Sequence, residues 1–246
     1  MLGRRIAIFP LIVSLACALL LLQMALKDAR FFVPLALVVL TTFAPVMLAQ
    51  RRMKRLFLSG DVHRVLESWR RSIERVMYPE TMAPLMIATA YASYGWIEAA
   101  RNALGRAQKG PAWDAAIEQR LFVEALLDTF EGDAASALSK ADALTRLPMP
   151  VAGPLQRRRV GKLRDGVAAM VRAFQHASRE GDARVLEDAA TISPLVHWAM
   201  RYAGAIVAID HGSAHTATAL LANAPTWPAE SAFKSFDDEL RGKLTA

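Results

Sequence analysis

The stretch YASYGWIEAARNALGRA, from Tyr91 to Ala107, decides the fold of this chain. Its apolar residues follow a helical pattern on both sides of a single glycine, Gly95. A glycine ends a helix and turns the chain at low cost, because it has no Cβ and adopts the left-handed conformation readily. Ala100 carries only a methyl group, which lets two helix backbones approach closely. The stretch therefore predicts two helices joined by a tight turn.

The same punctuation recurs along the chain. Helical segments are separated at Gly60, Gly95, Gly132, Gly181 and Gly212, with spacings of 35, 37, 49 and 31 residues. A period near 34 residues is typical of stacked helical hairpins. Asp or Ser follows four of these glycines and can cap the next helix by accepting a hydrogen bond from a free backbone N–H. Beyond residue 56 no alternating strand pattern occurs, so we predict an all-helical domain.

The pattern resembles the tetratricopeptide repeat (TPR), a helical hairpin. In residues 81–111, the family's small, aromatic, turn and alanine positions are occupied by Ala88, Tyr91, Gly95, Ala100 and Ala107. A second unit has Asp128 where the family usually has an aromatic residue. The resemblance implies an all-α fold with a TPR-like αα-hairpin solenoid. Generic helical repeats are the alternative, because any αα-hairpin protein shares parts of the pattern.

A segment rich in proline and glycine, LPMPVAGP at residues 147–154, interrupts the repeats. We predict TPR-like repeats in residues 56–147, a Pro/Gly linker at 148–155, and further repeats with a C-terminal tail in residues 156–246. The two halves are expected as sub-bundles that pack as one solenoid.

Two uncharged apolar runs precede the repeats. One has 21 residues, from Ile6 to Leu26, and the other has 19, from Phe31 to Ala49. At about 1.5 Å of rise per residue, each run reaches roughly the 30 Å thickness of the hydrocarbon core of a bilayer. Only four residues separate them. We therefore predict a transmembrane helical hairpin within residues 1–55, with spans at about 6–26 and 31–49.

Basic residues flank the predicted hairpin unequally. Lys27 and Arg30 lie in its turn, whereas six basic residues lie at its two ends: Arg4, Arg5, Arg51, Arg52, Lys54 and Arg55. The positive-inside tendency then predicts an inner (cytoplasmic) membrane protein with both termini and the repeats in the cytoplasm. The alternative is a cleaved signal, because SLAC at Ser14–Cys17 has some likeness to a lipoprotein processing site.

The charge balance argues against one class of partner. Residues 1–55 contain eight Lys and Arg against one Asp, whereas residues 56–246 contain 22 basic and 22 acidic side chains. A neutral repeat domain lacks the basic surface of a nucleic-acid binder. The basic flanks are expected to meet anionic lipid headgroups.

The sequence indicates no catalytic, cofactor-binding or metal site. Cys17 is the only cysteine, and no nucleophile elbow or phosphate-binding loop occurs. His211 and His215 are four residues apart, so a metal-dependent enzyme using them is an alternative. A basic cluster, Arg157–Arg159 with Lys162 and Arg164, predicts the solvated start of a helix; an acidic partner or lipid headgroup is the alternative.

The family resemblance also implies a binding surface. In TPR proteins the first helix of each hairpin lines a concave groove, and the matching positions here include Leu85, Thr89, Phe122, Leu126, Phe130 and Tyr202. Such an apolar groove suits an amphipathic helix, from a protein partner that could itself be a membrane protein. The alternative is that these side chains are core between neighbouring helices.

The leading hypothesis is a membrane-anchored helical-repeat scaffold that mediates protein–protein interaction at the cytoplasmic face, without catalysis. The first alternative is a periplasm-facing repeat protein in envelope, haem or cytochrome c assembly, where two-span anchors joined to such repeats also occur. That likeness is architectural and involves no residue motif.

Overall fold

The computed structural model describes residues 32–245, together with Gln23 and Arg30. The predicted first span at 6–26, apart from Gln23, and its flanking Arg4 and Arg5 lie outside the described residues. The chain forms two compact units, Met1–Arg55 and Leu56–Ala246. Both predicted repeat segments, 56–147 and 156–246, therefore belong to a single unit.

Between residues 32 and 245 there are twelve α-helices and one short 3-10 helix, Pro194–Val196. The α-helices are α1 (Phe32–Leu58), α2 (Val62–Ile73), α3 (Pro79–Ser93), α4 (Ile97–Gly105), α5 (Pro111–Ala115), α6 (Ile117–Glu131), α7 (Ala134–Arg146), α8 (Pro154–Phe174), α9 (Asp182–Ile192), α10 (His197–Asp210), α11 (Ala214–Leu221) and α12 (Ala232–Thr245). No strand occurs between residues 32 and 245, so the prediction of an all-α fold is confirmed for this part of the chain.

Helix α1 contains nearly all of the second apolar run and continues through the basic cluster that follows it. Several of its large apolar side chains are exposed, among them Val33, Leu37 and Leu40. Within the described residues, no single helix is long and apolar enough to cross a bilayer; α9 and α10 would qualify only as a pair, across a 120° bend.

The helices of the second unit pack as consecutive pairs. The pairs are α3 with α4, α6 with α7, α8 with α9, and α10 with α11. The first helix of each pair also contacts the first helix of the next, and its second helix contacts the following pair as well. Helix α12 returns onto α10 and α11. The core is therefore continuous from the first pair to the last.

The predicted glycine turns are confirmed. Positive φ values, between 71° and 89°, occur at Gly60, Gly95, Gly132, Gly181 and Gly212. This left-handed region is inexpensive only for glycine, which explains the regular spacing of the residue. Two residues of other types also adopt it, Tyr78 at 57° and His176 at 51°, and nothing in the repeat pattern indicated them.

The predicted capping is confirmed at two of four positions. Asp61 accepts a hydrogen bond from the Arg64 N–H, and Asp133 accepts one from the Ser136 N–H, each at 3.1 Å. Ser213 precedes α11 without making a side-chain cap bond. Asp182 lies inside the first turn of α9, where its carboxylate accepts from Arg172 and from the Arg179 N–H instead.

The predicted linker at 148–155 does not separate two bodies, because α7 contacts α8 directly. Arg164 in α8 is 3% exposed, which corrects its assignment to a solvated helix start. Its guanidinium donates to the carbonyls of Leu147 and Pro148 and to the Glu118 carboxylate, at 2.6, 3.2 and 3.0 Å. The side chain therefore fixes the beginning of the linker onto α6 and α8.

Gly166 also has a packing role that the sequence did not reveal. A Cβ at this position would lie 2.4 Å from the Cβ of Ala189, so α8 and α9 approach more closely here than any larger residue would permit.

Candidate partner-binding groove

The predicted groove positions lie on three first helices. Leu85 and Thr89 lie on α3, while Tyr202 lies on α10. The other three, Phe122, Leu126 and Phe130, lie on α6. Leu85, Leu126 and Tyr202 are fully buried, Thr89 and Phe130 retain less than a tenth of their exposure, and Phe122 is partly buried. Their role in binding a partner stays a prediction, and in this conformation they belong to the packed interior.

A C-terminal segment of the chain packs against two of these positions, Phe130 and Tyr202. We define the closing segment as residues 225–245, which include α12 and the loop before it. Phe233 in this segment is fully buried, and its ring lies 5.3 Å from the ring of Phe130 and 5.2 Å from that of Tyr202, measured between centroids. Phe236 packs against Phe130 and Phe174 at 5.8 and 5.1 Å. The second, third and fourth helix pairs thus share one aromatic cluster with the C-terminus.

Polar contacts reinforce this cluster at Tyr202. The indole N–H of Trp227 donates to the Tyr202 hydroxyl at 2.6 Å, and that hydroxyl donates to Asp237 at 3.2 Å. Burial raises the pKa of Tyr202, and the negative charge of Asp237 adds to the effect. The phenol therefore stays protonated and acts as a structural hydrogen-bond donor.

The closing segment also reaches the first helix pair. Ser231 donates from its hydroxyl to the Tyr94 carbonyl at 2.6 Å, and the Ala232 N–H donates to the Gly95 carbonyl at 2.9 Å. A Cβ on Gly95 would lie 3.1 Å from the Phe233 nitrogen. The glycine in the deciding stretch thus serves both the turn and the seat of the C-terminus.

Two side chains hold the carbonyls at the end of α1. The Tyr94 hydroxyl donates to the Phe57 carbonyl at 2.8 Å, and the Trp198 indole N–H donates to the Leu58 carbonyl at 3.1 Å. Helix C-terminal carbonyls have no partner within their own helix, so these bonds satisfy groups that would otherwise need water. The beginning of the second unit is thereby tied to both its first and its last helix pair.

In the second predicted repeat, a buried ion network surrounds Asp128, which stands where a TPR usually has an aromatic residue. Asp128 is 3% exposed and accepts hydrogen bonds from Arg101 of α4 and from Ser136 and Lys140 of α7. Burial raises the pKa of Asp128, but the hydrogen bonds from Lys140, Ser136 and Arg101 outweigh it, so the pKa is lowered. Arg101 also forms a two-bond contact with Glu131. The departure from the family pattern therefore joins two helix pairs by charge.

The open grooves on the Leu56–Ala246 unit include two that lie between neighbouring helices. The larger, about 950 Å³, lies between α9, α10 and α11. Its walls include Leu186, Met200 and Val207, with Arg184 and Glu187 at the edge. The second groove, about 780 Å³, lies between α2, α3 and α4 and includes Ile87 and Tyr91. The sequence prediction did not indicate either groove.

The histidines do not converge. The ring of His211 lies 2.7 Å from the Val207 carbonyl oxygen, measured from its Nδ1 atom, and His176 pairs with Asp210 at 2.9 Å. Among the described residues, no group of three or more His, Cys, Asp or Glu side chains could hold a metal ion. His215 is exposed at the start of α11.

The predicted membrane-flanking residues that can be placed lie on α1. Arg51, Arg52, Lys54 and Arg55 are all exposed, in the helical turns that follow the apolar run. They lie within five positions of one helix and are preceded by the exposed apolar side chains of Met47 and Leu48.

Comparison with known proteins gives no relative. No protein-family model, no curated protein and no solved structure matches the chain.

Sequence reasoning missed the closing segment. A signal was present, because Phe233, Phe236 and Leu240 have the three- and four-residue spacing of one apolar helix face. That spacing predicts an amphipathic helix, but it does not say which surface the helix covers.

Proposed function

We propose that this protein is a membrane-anchored helical-repeat scaffold that binds a protein partner at the cytoplasmic face of the inner membrane, without catalysis. The repeats are TPR-like hairpins, and residues 1–55 form a two-span anchor. The observation that carries the proposal is the order of contacts among the helix pairs, which matches successive hairpins of a solenoid.

The anchor is supported by the two uncharged runs and by the surface of α1. Its exposed apolar side chains would meet acyl chains, and its exposed Arg51, Arg52, Lys54 and Arg55 would meet anionic headgroups. An anchored module meets membrane partners at a raised effective concentration.

The partner surface we favour is the open groove between α9, α10 and α11. At Phe130 and Tyr202 the predicted concave groove is covered by the closing segment, whereas this one is free in the described residues and has an apolar floor with charges of both signs at its edge. An amphipathic helix fits that chemistry, because its apolar face covers the floor and its polar face meets the rim.

Cross-linking in the native membrane tests the partner surface. A photoreactive amino acid is placed at Thr216 or Arg184, which line the groove, and at Ser139, an exposed residue of α7 that lines neither groove. We expect one cross-linked species of the same mass from the two groove positions and none from Ser139. Absence of any product, or the same product from all three positions, would contradict the proposal.

Topology tests the location. A reporter that is active only outside the cytoplasm and one that is active only inside it are fused in turn to Ala246. Signal from the inside reporter alone is expected. Signal from the outside reporter alone would favour the periplasm-facing alternative, an assembly protein of the envelope.

A further inference from the structure

The segment that runs from the end of α7 into the first turn of α8 presents apolar side chains to solvent. Met149, Val151 and Leu155 are 50%, 102% and 77% exposed. Single exposed apolar residues are common, but three within seven positions form a patch that water solvates poorly. We name residues 149–155 the apolar loop.

The apolar loop is held at its base. The buried Arg164 guanidinium bonds to the carbonyls of Leu147 and Pro148, and α8 begins at Pro154. Met149 also approaches the backbone of Gly161, since a Cβ there would lie 3.3 Å from the Met149 methyl group. Both ends of the loop are therefore fixed, and Val151 protrudes from a supported base.

A strong positive charge lies beside the loop. Arg157, Arg158 and Arg159 are exposed in the first turns of α8 and make no ion pair in the described residues. The first turn of α8 contains no acidic residue, although a helix N-terminus carries a partial positive charge that favours anions. Within this turn, the three arginines therefore have no acidic partner.

Asp188 on α9 is an acidic side chain with which Arg158 interacts electrostatically. Asp188 accepts a hydrogen bond from Lys162 at 2.6 Å. That bond is the main reason why the pKa of Asp188 is lowered, and the positive charges of Arg184 and Arg158 contribute further. Arg158 of α8 and Arg184 of α9 therefore both act on the one carboxylate that Lys162 already binds.

We propose that the apolar loop and Arg157–Arg159 form a second membrane contact, in which the apolar side chains enter the interface of an anionic bilayer and the guanidinium groups bind lipid phosphates. The inference rests on the proposed membrane anchoring. Protruding apolar side chains beside exposed arginines are typical of interfacial lipid contacts. A folded acidic protein would need a pocket shaped to receive this patch, whereas a bilayer interface adapts to it.

A fluorescent probe on the full chain in vesicles tests this contact. The native Cys17 is replaced by serine, and a probe is attached through Val151→Cys or, as control, through Ser139→Cys. Both positions are exposed, so neither replacement disturbs the core. A third sample has the probe on native Cys17, within the predicted first span, and reports on the anchor. Vesicles contain phosphatidylcholine with or without phosphatidylglycerol, and quenchers are either lipid-linked near the headgroup or aqueous iodide.

With phosphatidylglycerol present, we expect the lipid-linked quencher to act at least twofold more strongly on the Val151 probe than on the Ser139 probe. Replacing Arg157–Arg159 by glutamine, or omitting phosphatidylglycerol, should remove most of that difference. Equal quenching at both positions, with the Cys17 probe in lipid, would overturn the loop contact and leave the anchor standing.

An aqueous Cys17 probe would overturn the anchor and the loop contact together. Protection of the Val151 probe from iodide without lipid quenching would mean that protein, rather than lipid, covers the loop, and would also overturn the proposal.

Discussion

The turns at Gly95 and Gly132 have nearly the same backbone but different surroundings. Their φ values are 73° and 82°, and each joins the two helices of a pair. A Cβ on Gly95 would press on Phe233 and Ser231, whereas a Cβ on Gly132 would have nothing within 4 Å. The closing segment packs against the Gly95 turn, whereas the Gly132 turn has no neighbour at this distance.

The two helix pairs are consequently stabilised in different ways. The first pair, α3 with α4, is bound to the closing segment by packing, by a backbone hydrogen bond and by the Ser231 hydroxyl. The second pair, α6 with α7, is bound to the first pair by the buried charge of Asp128. Gly132 is therefore required only for its left-handed backbone conformation. Gly95 is required for that conformation and also for the space that the closing segment occupies beside it.

Truncating the side chain that anchors the closing segment should have the largest effect on the free energy of unfolding. Phe233→Ala deletes a fully buried ring that contacts Phe130, Tyr202 and Trp227. We expect a loss of about 4 kcal/mol in the free energy of unfolding, since truncating a buried Phe costs both burial and a cavity. Denaturant unfolding of the detergent-solubilised full chain, followed by helical circular dichroism, measures it. Leu138→Ala, at a 40% exposed position of α7, is the control and should cost less than about 1 kcal/mol. Equal losses would mean that packing of the closing segment does not stabilise the fold.

Removing the buried charge of Asp128, in the pair of α6 and α7, should lower the free energy of unfolding almost as much. Asp128→Ala removes a buried carboxylate that accepts hydrogen bonds from Arg101, Lys140 and Ser136. Arg101 keeps its contact with Glu131, and Lys140 keeps its contact with Glu124. We expect a loss of about 3 kcal/mol at neutral pH, because hydrogen bonds to a charged group contribute about 1.5 to 3 kcal/mol each. Asp114→Ala is the control, because that side chain is 81% exposed, and it should cost less than about 0.5 kcal/mol.

The pH dependence sharpens this second prediction. The pKa of Asp128 is lowered in the folded chain, so its contribution is complete above the unfolded pKa of about 3.9 and is lost as pH falls through the folded pKa. The stability difference between the parent chain and Asp128→Ala should therefore narrow below about pH 4. A difference independent of pH would show that the charge contributes nothing.

Much of this architecture could be predicted from the sequence, because it depends on local chemistry. The glycine turns and the caps at Asp61 and Asp133 involve residues within three positions of each other. The contact between the closing segment and the Gly95 turn could not be predicted, since Ser231 and Tyr94 are 137 residues apart and nothing in their spacing links them. Burial of Arg164 depends likewise on carbonyls 16 and 17 residues away. The predicted groove positions are mainly apolar whether they bind a partner or the chain itself, so composition could not distinguish the two.

Alanine at the two glycines tests the comparison directly. Gly132→Ala should cost about 1 kcal/mol, because a left-handed conformation is strained for alanine. Gly95→Ala should cost about 2 to 3 kcal/mol, since its methyl group would also displace the Phe233 backbone. The same unfolding measurement on both variants gives the difference. In the Phe233→Ala background the Phe233 nitrogen remains, so Gly95→Ala should still cost more than Gly132→Ala. Identical costs in the parent chain would mean that the closing segment yields without resistance.

The smallest expected effect distinguishes the caps of two second helices. Asp133→Ala removes the hydrogen bond to the Ser136 N–H at the start of α7, and we expect a loss of about 1 kcal/mol. Ser213 holds the equivalent place before α11 but makes no side-chain cap bond, so Ser213→Ala should change the free energy of unfolding by less than about 0.5 kcal/mol. Hydrogen exchange of the first amides of each helix provides a local readout, with faster exchange expected in α7 only. Faster exchange in α11 after Ser213→Ala would show that Ser213 caps its helix in solution, and the two caps would then be equivalent.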